Sequence, residues 1–118
     1  MAHNAKSFAK FHSKLYEFHT SGKYADITLI CEQKSFRCHR VALASACHYF
    51  DTMFSLQLLE KDAESVVLQE MNAVIFEEVL RFIYTGDAVI NSDNIYSLIV
   101  ASDFLSLEGL ENLCIQFL

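Results

Sequence analysis

YADITLICEQKSFRCHRVALA, residues 24–44, changes its apolar period half-way along, and that change decides the fold. In the first half Ile27, Leu29 and Cys31 fall on one face of a strand, with Thr28 and Ile30 on the other; both faces are fairly apolar. The turn EQK follows, and then Phe36 and Cys38 alternate with Ser35 and Arg37, so the two runs predict a β-hairpin. From His39 the period lengthens. VALASA is rich in small helix formers, and Tyr49, Phe50, Met53 and Phe54 make pairs four apart, which predicts two short, consecutive, buried helices.

Upstream, Phe8, Phe11, Leu15 and Phe18 form one apolar stripe on a helix over about residues 4–21, ending near Ser21-Gly22. Downstream, the charged loop QLLEKDAE leads to the β-branched strand SVVLQ. Asn72 sits where an N-cap belongs before AVIFEEVLRFIY. Phe76, Val79, Leu80 and Ile83 are the buried stripe of that helix, and Gly86 is placed to end it. A short AVI strand is expected next. Two helices follow, from about Asn94 to Leu105 and from Leu107 onward, with Ser92 and Ser106 as caps. Their inward residues are Ile95, Leu98 and Ile99, then Leu107, Leu110, Cys114 and Phe117.

No internal repeat, low-complexity tract, linker or proline interrupts the chain, so one domain spans residues 1–118, with a core over 24–118. A three-stranded sheet, a short extra strand, and helices gathered late make an α+β fold. The 118 residues, 53% of them hydrophobic, suffice for a real core. Fifteen acids against nine bases give a net charge of −6, which opposes binding to a phosphate backbone, so no nucleic-acid partner is expected. Lys6, Lys10 and Lys14 break the start, which lacks a signal peptide's apolar run, and no long uncharged stretch offers a membrane span. A cytoplasmic or nuclear, reducing setting follows, with Cys31, Cys38, Cys47 and Cys114 as free thiols.

Two Cys-His dipeptides, Cys38-His39 and Cys47-His48, raise the question of a metal. Adjacent side chains point apart, to opposite faces of a strand or about 100° apart on a helix, and no C-x₂-C spacing is present. No metal or other cofactor is expected. Nor is catalysis: Cys47 falls at an apolar helix junction that raises a thiol pKa, nucleophile and phosphate-loop motifs are missing, and Glu77-Glu78 read as a solvated helix face.

YADITLI, then F-x-C-H-R-x-x-L-A over residues 36–44, then YF-x-x-MF, then FIYTG, in that order and spacing, resemble a BTB/POZ domain, more the kelch-like branch than the zinc-finger one. The resemblance runs from Phe8 to Leu118. It implies a small sheet capped by about five helices plus an N-terminal dimerisation helix, in a homodimerising adaptor fold; Phe8, Phe11, Leu15 and Phe18 would form the dimer interface. One departure is Cys47-His48, where many relatives carry Ser-Pro before the Tyr-Phe pair. Kelch repeats and fingers are absent, so the chain is expected to be the N-terminal part of something longer.

Two functions follow from the resemblance. One is a substrate adaptor of a cullin-RING ubiquitin ligase, docking on the N-terminal domain of the third cullin. Leu58-Leu59-Glu60 fits the pattern of a hydrophobic residue, any residue, then Glu that cullin-binding relatives carry, which points to Leu58 and Glu60. The alternative is a transcriptional regulator whose dimer recruits a corepressor, with Asp26 and Arg40 matching that branch's charged pocket; a simpler reading of Asp26 is a buried carboxylate satisfied by Arg40 or nearby backbone.

Overall fold

The computed structural model describes residues 4–55 and 64–118. Helix α1 spans Ala5–Ser21: the Asn4 side chain accepts from the Ser7 N–H at one end, and Gly22 closes the other at a left-handed φ of 79°. Strands β1 (Ile27–Cys31) and β2 (Lys34–Cys38) pair antiparallel, with Leu29 opposite Phe36. Their connection is two residues long. Glu32 and Gln33 both take positive φ, 49° and 73°, the backbone of a turn whose twist matches the strands it joins. Neither residue favours that region, and the Glu32 carboxylate, accepting from the Ala73 N–H at 2.7 Å, ties the turn to the next long helix.

Helices α2 (Arg40–Ala46) and α3 (His48–Ser55) follow directly. Strand β3 (Ser65–Val67) then lies parallel to β1, Leu29 opposite Val66, so the sheet order is β2-β1-β3 and β1 is central. That position explains why both faces of β1 are apolar: Ile27, Leu29 and Cys31 are buried on one and Ile30 is half-buried on the other. Helix α4 (Ala73–Thr85) is capped as its sequence requires: Asn72 accepts from the Val74 and Ile75 N–H groups, and Gly86 (φ 84°) terminates it. Helices α5 (Ile95–Phe104) and α6 (Glu108–Phe117) complete the chain. Phe50, Phe76, Leu80, Leu98, Leu105 and Leu110 meet beneath the sheet in one core.

Several expectations are corrected. Among the described residues the sheet has three strands, and residues 88–90 do not add the short extra one. The Val89 N–H donates instead to Glu78 Oε2 (2.9 Å), and its carbonyl accepts from Asn94 Nδ2 (2.8 Å), so side chains occupy the groups a partner strand would take. Glu78 is therefore not part of a solvated face; Arg81 holds its other oxygen at 3.1 Å. Ser92 and Ser106 cap nothing, because Asn94 and Leu107 stand at the N-cap positions without a side-chain cap bond. Phe117, expected inward, is half exposed, since the buried side of α6 is set by Leu110 and Cys114. Among the described residues no helix is long and apolar enough to cross a membrane.

Candidate interaction surface

Helix α1 has no fully buried residue, yet it is firmly seated. Its inward side is His12, Leu15, Tyr16 and His19, each half-buried, at the spacing of one helix face. Leu15 and Tyr16 pack on the core. The His12 ring donates from Nδ1 to the Tyr84 carbonyl (2.9 Å) in the last turn of α4, an acceptor the helix itself leaves open. The His19 ring donates from Nδ1 to the Arg37 carbonyl (2.8 Å) on β2 and stacks on the Tyr84 ring, centroids 4.4 Å apart at 18°. Helix α1 thereby covers the outer edge of β2, an edge otherwise open to another strand.

Tyr84 is fully buried and links α1 to the hairpin. Its hydroxyl accepts from the His39 backbone N–H (3.0 Å) and meets His39 Nδ1 at 2.8 Å, while His39 Nε2 donates to the Lys23 carbonyl (2.7 Å). The imidazole of the opening stretch is thus a structural cross-link. Its neighbour Cys38 points into the core, and burial pushes that thiol up to about 12. Burial likewise pushes Cys31 up to about 11 and raises Cys47, whose Sγ lies 3.1 Å from the Leu105 carbonyl. Cys47 and His48 face apart, one buried, the other exposed beside Thr52. Among the described residues no three His, Cys, Asp or Glu side chains gather as a metal site.

The predicted stripe of α1 is split. Leu15 and Phe18 are half-buried, Phe18 edge-on to Tyr24 at 5.1 Å, whereas Phe8 and Phe11 keep 54% and 60% of their surface exposed. Asp26 and Arg40 do come together. The Arg40 backbone N–H donates to Asp26 Oδ1 (2.7 Å), its guanidinium donates to the Asp26 carbonyl, and Nη1 lies 3.9 Å from Oδ2. Asp26 is 53% exposed, so it is not a buried carboxylate; it ties the hairpin to the first turn of α2, where a negative charge is favoured. Leu58 and Glu60 lie outside the described residues. A second apolar surface, missed in the sequence, lies between the start of α4 and α5: Met71, Val74, Ile75, Tyr96, Val100 and Phe104 wall a groove of about 640 Å³. Tyr96, Val100 and Phe104 recur every four residues, a signal legible in principle but masked because the opposite side of α5 is apolar too.

Residues 15–118 match the family model for the BTB/POZ domain. The chain belongs to the BTB/POZ family. It is 32% identical over 114 residues to Kelch-like protein 7 of Gallus gallus, covering 97% of this chain and 20% of that protein. To Kelch-like protein 21 of Danio rerio it is 35% identical over 104 residues, 88% of this chain and 17% of the relative. This BTB/POZ chain therefore spans about a fifth of the length of the curated relatives it matches. In solved structures the same fold recurs in the BTB domain of zebrafish PATZ1 (TM-score 0.86, 22% identity, 99% of this chain and 95% of that one) and in that of human Gigaxonin (0.85, 23%, 100% and 96%). The sequence relatives place the BTB/POZ chain beside the kelch-like branch.

Proposed function

We propose that this BTB/POZ chain is a protein-interaction module that homodimerises through the outer face of α1 and acts as the substrate-adaptor part of a cullin-three RING ubiquitin ligase. The observation that carries the dimer is the contrast on α1: one side is bonded into its own core, while Phe8 and Phe11 stand more than half exposed on the other. Bulky aromatic rings on a rigid helix are the usual anchors of an isologous interface. What supports the cullin is the kelch-like kinship of the sequence together with Leu58-Leu59-Glu60 in the segment after α3.

In this reading Leu58 fills an apolar pocket on a cullin helix and Glu60 accepts hydrogen bonds at its rim, so the two fail differently. Calorimetry of the third cullin's N-terminal domain against wild type, Leu58→Ala and Glu60→Ala, at two salt concentrations, is the test. Leu58→Ala costs about 1–3 kcal/mol of binding, the scale of a buried anchor; Glu60→Ala costs less and varies more with salt. Absence of wild-type binding at tens of micromolar defeats the adaptor role for this domain. A drop of many degrees in the melting temperature of Leu58→Ala assigns that leucine to the core instead.

A further inference from the structure

Three imidazoles from two segments converge on one tyrosine. His12 and His19 reach Tyr84 from α1, and His39 reaches it from the end of β2. The hydrogen bonds allow only one arrangement of protons around His39. The Lys23 carbonyl requires Nε2 to carry a hydrogen, which leaves Nδ1 of the neutral ring as acceptor for the Tyr84 hydroxyl proton. The hydroxyl oxygen is then free to accept from the His39 backbone N–H, as observed. A second proton on that ring sets two hydrogens against each other. Tyr84 is fully buried, so its hydroxyl turns to no water, and the alternative is the Cys38 sulfur, a weak acceptor already beside it.

His19 has less room for charge than an exposed histidine. Burial holds its ring below the ordinary 6.5, with His39 adding repulsion, while the bond to the Arg37 carbonyl and the charge of Glu77 act the other way. The charged and titratable groups facing this cluster come from every element around it. Arg37 and Cys38 face it from β2, Lys23 from the link after α1, and Tyr84 and Glu77 from α4; Asp26 acts from the start of β1. Of the two acids, Glu77 is engaged by Lys34 at 3.5 Å and Asp26 by Arg40.

We propose that the seat of α1 is a proton-operated latch: the neutral His19 ring, stacked on Tyr84 and bonded to the Arg37 carbonyl, holds the helix onto α4 and the edge of β2, and charging it in mild acid releases it. The sign follows from the direction of the His19 shift. Above 6.5 both docked and released rings are neutral and the latch is at full strength; as pH falls through 6.5 the released ring takes up its proton first, and docking weakens until the docked ring titrates as well. The latch does not depend on the dimer, but where α1 carries the proposed dimer face, release also moves Phe8 and Phe11.

The test is made on the 118-residue chain. Imidazole titration by NMR is combined with hydrogen exchange, corrected for intrinsic rates, at about pH 7.5 and about pH 5.5, with α4 amides as the internal reference. The expected result is that His19 titrates below the ordinary 6.5, and that α1 loses protection relative to α4 by about ten-fold for each pKa unit of that separation. His19→Gln keeps an N–H for the Arg37 carbonyl and does not titrate, so it shrinks the loss. The latch is overturned if His19 titrates at or above 6.5, if α1 protection is unchanged, or if the loss vanishes when protein concentration is raised about ten-fold, since that marks dissociation of a dimer. Should His19→Gln fail to fold, the wild-type titrations still decide.

Discussion

Replacing Phe11 by alanine separates the two sides of α1. A phenylalanine side chain offers about 200 Å² to burial, and 60% of this one is exposed in the single chain, so about 120 Å² remains to be hidden. At about 25 cal/mol per Å² that is about 3 kcal/mol, or about 2 kcal/mol after allowing for the methyl that alanine keeps. An isologous interface repeats the change in both protomers. The loss is therefore about 4–6 kcal/mol, or about three to four powers of ten in the dimer's Kd. The fold itself loses little, because an exposed substitution away from caps and networks is worth within about 0.5 kcal/mol. Sedimentation velocity across a dilution series measures the first quantity and urea unfolding of the monomeric variant the second. A wild-type mass of one chain at low micromolar concentration refutes the reasoning. So does a Phe11→Ala dissociation constant within about ten-fold of wild type.

Four further outcomes are expected. Tyr84→Phe strips the partner from the His39 N–H and Nδ1 and costs about 1–3 kcal/mol in chemical unfolding; a loss below about 0.5 kcal/mol would show that the cross-link is not structural. Asn72→Ala removes the acceptor for the Val74 and Ile75 N–H groups and costs about 1 kcal/mol, read from the urea midpoint at unchanged slope. In Gly109→Ala the new Cβ would lie 2.9 Å from Phe82 Cζ, so crowding worth about 1–3 kcal/mol outweighs the gain of about 0.5–1 kcal/mol from helix propensity, and the melting temperature falls; a rise would show that Phe82 yields freely. The native thiols stay silent toward a thiol reagent at about pH 8, because all four are buried and burial holds them protonated, with Cys31 and Cys38 at about 11 and 12; four equivalents react after denaturation, and fewer would mean a disulfide.

What was legible in the sequence is what neighbours along the chain decide. Side chains alternate by twos through Ile27–Cys31 and Lys34–Cys38 because a pleated strand turns them so, and Asn72 and Gly86 mark the ends of α4 because the open N–H and C=O groups of a helix need partners on the spot. The four-motif order carried the family as well. The periods alone did not choose between adjacent faces of α1: Leu15 belongs both to the Phe8–Phe18 stripe and to the His12–His19 face, and only the approach of α4 turns the second inward. The same holds for the sheet. Residues 88–90 and Ser65–Val67 are both short and apolar, yet only the second finds β1, since a strand exists through a partner distant in sequence while Glu78 and Asn94 satisfy the backbone of Val89. His39 next to a cysteine raised the question of a metal, answered against it by spacing, and gave no pointer to Tyr84, 45 residues away. Local sequence determined where each element begins, ends and alternates. The tertiary structure decided which face is covered and which polar group meets which, because burial and hydrogen-bond satisfaction are settled by whatever segment arrives opposite, and that segment lies far along the chain.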